Sequence, residues 1–196
     1  MQVIFIHGPA ASGKHTVGAQ LSGLTGLPLF HNHLAVDAAL ALFEFGTEGF
    51  KNMRSAVWRA AFQEAARFSR SFIFTLHPEA SVEPSLITEL VETIESAGGS
   101  VAFVELQCAT EVVLGRLGNS SRASFRKLTD PKLYRILEEQ GAFCFPRLPT
   151  PLLCIDTSEL PPEEAAHKIV TAIKHRPVTQ AVVPSEAPRN YSSAQK

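Results

Sequence analysis

The chain has 196 residues, 45% of them apolar and 19% charged, enough for one domain with a substantial core and too few for two comfortable ones. With 18 basic and 19 acidic side chains the formal net charge is −1, so no global field would hold a nucleic acid or an anionic membrane. Cys108, Cys144 and Cys154 stand in neither zinc nor redox spacing, which argues against a disulfide scaffold and predicts a reducing, cytoplasmic setting.

The opening Met-Gln-Val-Ile-Phe-Ile-His-Gly predicts neither a signal peptide nor an anchor, and no apolar run reaches the roughly 18 residues of a membrane span. Residues 2–7 form a short apolar run of the kind buried on both faces of a parallel sheet. A Gly-rich loop leads into a helix that carries Val17, Leu21 and Leu24 at helical spacing and stops at Gly26. A strand over 27–30 precedes helices over 34–45 and 50–68, the second with Met53, Val57, Ala60, Ala61 and Phe68 on one face. Strands over 71–76, 101–106 and 152–155 then alternate with helices over 83–97, 111–117, 134–140 and 162–174. Pro161-Pro162 suits the first turn of the last helix, where a missing N–H costs nothing. Short apolar strands alternating with helices predict a parallel sheet covered on both faces. The segment 177–196 has three prolines and no Phe, Leu, Ile or Trp, so it is expected to be a disordered tail after a domain over 1–176.

Gly8-Pro9-Ala10-Ala11-Ser12-Gly13-Lys14-His15-Thr16 fits Gly-x-x-x-x-Gly-Lys between a predicted strand and a predicted helix, the context this phosphate-binding motif requires. Successive loop amides, from Ala10 and Ala11 through Thr16, converge on phosphate oxygens, and the helix N-terminus adds positive dipole. Gly8 and Gly13 permit close backbone approach, and Lys14 supplies a point charge to the β and γ phosphates.

At these residues the chain resembles the small P-loop kinases, the group of nucleoside monophosphate, shikimate and gluconate kinases. Lys14-His15-Thr16 is similar to the Lys-Gly-Thr form of adenylate kinases. Glu105-Leu106-Gln107-Cys108 with Glu111, Leu114, Arg116 and Leu117 resembles their fourth strand and lid-entry helix. Cys154-Ile155-Asp156-Thr157-Ser158 with Pro161-Pro162-Glu163-Glu164 resembles their fifth strand, base-side loop and last helix. The resemblance covers residues 1 to about 174. It implies a three-layer α/β/α fold with a five-stranded, mainly parallel sheet in the order 2-3-1-4-5. It also implies ATP and Mg²⁺ as cofactors, with Thr16 near the ion directly or through water, and a small lid at about 118–131.

The resemblance implies further that Arg116 and Arg122 cap the transferring phosphoryl group, with Arg126 a weaker lid candidate, and that Arg116, Thr157 and Ser158 line the base side. Three positions depart from the pattern. His15 stands where many P-loop enzymes place a Ser or Thr that ligates magnesium. The third strand ends Phe74-Thr75-Leu76-His77 without an aspartate. His31-Asn32-His33 stands where shikimate kinases carry Asp-x-Asp.

Of seven histidines, His7, His31, His33 and His77 fall at the C-terminal ends of predicted strands, the edge at which open α/β sheets bind ligands. Imidazole can serve there as base, phosphate donor or metal ligand. His31, His33, Asp37, Arg54, Arg59 and His77 are therefore the candidate acceptor-binding set, with His33 the candidate base. Trp58, between the two arginines in sequence, is expected in the core. The expected activity is transfer of the γ-phosphoryl of ATP to a small-molecule acceptor such as a nucleotide or sugar acid, by a monomer or homodimer without nucleic-acid or membrane partners. A GTPase is excluded by the lack of Asn-Lys-x-Asp, and an AAA-type motor by the lack of an acidic third-strand pair. The remaining alternative is a nucleotide-binding regulatory module that does not transfer phosphate.

Overall fold

The computed structural model describes residues 1–118, 130–141 and 148–175; Arg122, Arg126, Cys144, nearly all of the expected lid and the segment from Pro177 lie outside them. In chain order the elements are β1 (Gln2–His7), α1 (Lys14–Thr25), β2 (Leu29–His31), α2 (His33–Leu40), α3 (Glu48–Arg67), β3 (Phe72–Leu76), α4 (Pro84–Ser96), β4 (Ser100–Gln107), α5 (Thr110–Leu117), α6 (Pro131–Glu139), β5 (Leu153–Asp156) and α7 (Pro162–Lys174). The five strands pair in the order β2-β3-β1-β4-β5, and every pair is parallel.

Alternation along the strands builds two chemically different cores. Val3 and Phe5 of β1, Phe72 and Phe74 of β3, and Val101 and Phe103 of β4 face Trp58 and Phe62 of α3 and Leu86, Leu90 and Ile94 of α4. That face is aromatic: Phe5 lies 5.0 Å from Phe74, and Trp58 and Phe62 meet the Phe74 ring edge-on at 5.6 and 5.3 Å. Such edge-to-face pairs contribute about 0.5–1.5 kcal/mol each beyond their burial. Ile4, Ile6, Ile73, Val104 and Leu106 point the other way, onto Val17 and Leu21 of α1 and Ala165, Ala166 and Ile169 of α7. The result is a three-layer α/β/α domain. Gly18 lets α1 approach the sheet closely, since a Cβ there would meet Leu29 Cδ1 at 3.0 Å and Thr75 Cγ2 at 3.4 Å.

Three expectations about the helices need correction. The helix predicted over 34–45 ends at Leu40, and the chain turns through Gly46, which takes φ 81°. Leu24 is exposed. On α3 the buried stripe is Phe50, Arg54, Trp58 and Phe62, a row at spacing four, whereas Ala60 and Phe68 face solvent. Trp58 is in the core as expected. Among the described residues, no helix is long and apolar enough to cross a membrane.

Candidate active site

β1 occupies the middle of the sheet, so the loop that follows it emerges at the centre of the C-terminal edge. Gly8 takes φ 145°, and a Cβ there would sit 2.1 Å from the Leu106 carbonyl oxygen of β4; no other residue fits. Gly13 caps α1 with φ 85°. The first bond of the α1 ladder runs from Val17 N–H to Gly13 O at 2.9 Å. The amides of Lys14, His15 and Thr16 therefore precede the ladder and face out of the helix N-terminus, an arrangement suited to anions. Lys14 Nζ lies across the loop and donates to Gly8 O at 2.9 Å and Pro9 O at 2.6 Å.

A second brace joins the loop to the far strands. The buried Thr157 hydroxyl lies 3.0 Å from both Ser12 O and Gln107 O, so its side chain faces the phosphate loop. Ser158 caps the same turn, its hydroxyl donating to Asp156 at 2.6 Å and accepting from Ala109 N–H at 2.9 Å. The Ser158 hydroxyl and the Ser158 backbone N–H, which donates to the same carboxylate at 2.8 Å, hold the Asp156 carboxyl below its ordinary range. Arg116 of α5 reaches across, donating to Thr157 O at 2.8 Å and Ser158 O at 3.2 Å. Its guanidinium is thus engaged with the carbonyls of the turn after β5.

The histidines gather at the same edge. His15, on the first turn of α1, has its ring 4.9 Å from that of His31 at the end of β2, and His31 lies 6.4 Å from His33, the first residue of α2. Asn32 N–H donates to Thr75 O at 3.1 Å, which fixes where α2 begins. His77, just past β3, has its Nδ1 3.2 Å from Gly8 O. Asp37 lies exposed on α2. Sequence reasoning left His7 and Glu105 out of the site; they are in register on β1 and β4, and Cys154 of β5 donates to Glu105 at 3.3 Å. Burial pulls His7 from 6.5 to about 4, with Lys14 adding to that and Glu105 opposing it, so the ring is neutral.

Of the two arginines expected at the acceptor, Arg54 requires correction. It is fully buried, with its guanidinium between the Phe50 and Trp58 rings at 5.4 and 5.1 Å and bonded to Glu79 and Ser81. No acceptor can reach it there. The row of aromatics at 50, 58 and 62 was the sequence signal that residue 54 points inward. Arg59 pairs with Glu89 of α4 at 2.9 Å, half-exposed, and borders a groove with Lys51, Asn52 and Glu83 that none of the histidines lines.

No protein-family model and no curated protein matches the chain. Solved structures do. A sugar kinase from Janibacter superposes with TM-score 0.63 at 19% identity, over 89% of this chain and 95% of that one. A gluconokinase from Sinorhizobium meliloti gives 0.61 at 16% identity, over 88% and 91%. The APS kinase CysC of Mycobacterium tuberculosis, solved in complex with AMPPNP and APS, gives 0.60 at 13%, over 88% and 97%. The chain has the fold of the small P-loop kinases.

Within this P-loop kinase fold the residues present fit a nucleoside triphosphate, because the Gly8 close approach, the α1 N-terminus and Lys14 form one cradle. Among the described residues, no group of three or more His, Cys, Asp or Glu side chains is arranged to hold a metal. Thr16, exposed on the first turn of α1, is the hydroxyl available beside the loop. That set fits a magnesium ion held chiefly by phosphate oxygens and water, the usual mode for this cation.

Proposed function

We propose that the protein transfers the γ-phosphoryl group of ATP to a small hydroxyl- or phosphate-bearing acceptor, of the nucleotide or sugar-acid type. One observation carries this reading: a phosphate loop with its lysine and the imidazoles of His31, His33 and His77 meet at one edge of a kinase-type sheet. ATP would supply the transferred group, and magnesium, with Thr16 as the nearby hydroxyl, would neutralise developing charge on its oxygens. Lys14 and the loop amides hold the β and γ phosphates. Arg116 and Ser158 shape the base side, with Thr157 holding that turn to the phosphate loop. His33 orients the acceptor hydroxyl or takes its proton, with His31, Asp37 and His77 around it. Transition states for this transfer are loose, so positioning carries much of the rate.

A specific observation favours the alternative of a nucleotide-binding module without transfer: β3 ends Thr75-Leu76-His77, with no carboxylate in that place. ADP release measured with and without a pooled metabolite library separates the two. Acceptor-dependent release supports transfer; ATP binding with no release above background by any pool sinks it.

A further inference from the structure

The buried Arg54 stands between the two segments that carry the candidate acceptor histidines. On one side its guanidinium packs against Phe50, and Phe50 joins Val36 and Ala39 of α2 in one apolar cluster, so the helix that begins at His33 rests on it. On the other side Nη1 donates to Glu79 at 2.5 Å and to Ser81 Oγ at 3.0 Å, and Nη2 donates to Ser81 O at 2.7 Å. The Ser81 hydroxyl also donates to Glu79 at 2.6 Å. Glu79 and Ser81 belong to the short β3–α4 connection whose first residue is His77, and His77 meets the Gly8 carbonyl of the phosphate loop.

Cohesion alone does not call for this arrangement. Taking a guanidinium out of water is costly even beside a partly exposed carboxylate, and apolar residues of similar volume often hold a core as well or better. Arg54 Nε and Trp58 Nε1 are in addition buried without a hydrogen-bond partner among the described residues, a further cost. What an apolar replacement cannot supply is direction. The planar fork fixes Glu79 and the Ser81 backbone together, and so sets the path of the connection that begins at His77.

We propose that Arg54, with Glu79 and Ser81, is a positioning cluster that holds His33 and His77 at a fixed separation on either side of the acceptor. The proposal rests on the reading of both histidines as acceptor-facing, and its test separates the two ideas. The full chain is prepared with Arg54→Met and Glu79→Met together, which removes both charges at once, and separately with Ser81→Ala, which trims only the bridging hydroxyl. Imidazole Hε1 resonances are recorded, and binding of a fluorescent ATP analogue is measured.

The expected result is a folded protein that binds the analogue as wild type does, with the His33 and His77 resonances displaced and His167 on α7 unmoved. Acceptor-dependent kcat/KM then falls by roughly 10–100-fold, the scale of small misplacements at a reacting group. Arg54→Lys does not restore the wild-type spectrum, because an ammonium cannot serve Glu79 and the Ser81 backbone in one plane. Displaced resonances in a protein that turns over no acceptor leave the positioning role standing and sink the transferase reading. Wild-type His33 and His77 resonances in the folded double variant overturn the proposal, as they do in Ser81→Ala if the double variant does not fold.

Discussion

The hydroxyl of Thr157 lies 3.0 Å from the carbonyl oxygen of Ser12, tying the turn after β5 to a phosphate loop 145 residues earlier. The same oxygen is equally close to Gln107 O at the end of β4, so one buried threonine couples both strand ends to the loop. Thr157→Val keeps the shape and removes the donor. The buried Ser12 carbonyl then loses this donor, whereas Gln107 O keeps the Thr157 N–H at 2.9 Å, so the cost is about 1–3 kcal/mol where water cannot replace the lost bond. Urea unfolding should show a loss of that order, and ATP affinity should fall because the loop is no longer held in its binding form. A variant with wild-type stability and affinity would mean that the bond contributes nothing.

Gly8 and Gly13 both have positive φ, yet they should respond differently to alanine. At Gly13 (φ 85°) an added Cβ meets nothing within 4 Å, so Gly13→Ala costs only the left-handed backbone term of roughly 1–2 kcal/mol. At Gly8 the added carbon lands 2.1 Å from a carbonyl of the adjacent strand, and neither backbone can yield without unpairing the sheet. Gly8→Ala should lose more than about 4 kcal/mol and fold poorly or not at all. Melting temperatures of the pair, measured side by side, check the order.

Lys14 donates to two loop carbonyls, so its removal has a small structural effect beside a large functional one. Lys14→Met should unfold within about 1–2 kcal/mol of wild type, since hydrogen bonds to charged groups contribute about 1.5–3 kcal/mol and the loop is partly solvated. ATP binding by calorimetry should be lost or nearly so. Unchanged ATP affinity would refute the assignment of the phosphate loop.

Burial holds the folded-state pKa of His7 near 4, against 6.5 for an ordinary histidine. The unfolded chain takes up this proton as pH falls through 6.5, whereas the folded protein refuses it until about 4. Stability from this group is therefore fully present above pH 6.5 and is lost as the pH drops towards 4, by on the order of 3 kcal/mol in all. His7→Gln should flatten that limb of the stability–pH curve and leave the limb above pH 7 alone. Urea midpoints at pH 5 and pH 7 for both proteins decide it; equal slopes would show that the ring is not held neutral.

What could be read from the sequence was local chemistry. The phosphate loop is legible because its glycines, lysine and flanking apolar run are contiguous, and the sheet order followed from the resemblance carried by those residues. Arg54 was misread because its partners Glu79 and Ser81 lie 25 and 27 residues away and only the folded α3–α4 pairing brings them together. The bond from Thr157 to the Ser12 carbonyl is hidden in the sequence for the same reason, since the two residues lie near opposite ends of the chain. The apolar pattern of Leu42, Phe43 and Phe45 extends the expected helix to 45, whereas the chain turns after Leu40 and the Phe45 ring lies tilted 4.9 Å from Phe50 of α3. Contacts between segments far apart in sequence decided the first two places, and at the third a turn ends α2 although Leu42 and Phe45 stay exposed.

His33 begins α2, its ring 6.4 Å from His31 and one step from the Asn32 amide that Thr75 O anchors to β3. The proposed function gives it the acceptor hydroxyl, and imidazole is the commonest alternative to a carboxylate base near neutral pH. A positioned base contributes about 10²–10⁴-fold, so His33→Ala should lower acceptor-dependent turnover by that range. ATP affinity should be unchanged, because the loop amides and Lys14 are untouched. His33→Asn separates two roles, since a carboxamide can hold a hydroxyl but cannot take its proton. Recovery in His33→Asn identifies orientation as the contribution; equal loss in both variants identifies proton transfer. The measurement is kcat and KM for the acceptor found in the pooled library, beside ATP Kd for each variant. Full turnover in His33→Ala would remove this histidine from the site and move the search for acceptor contacts to His31, His77 and Arg59, Arg54 being already excluded by its burial.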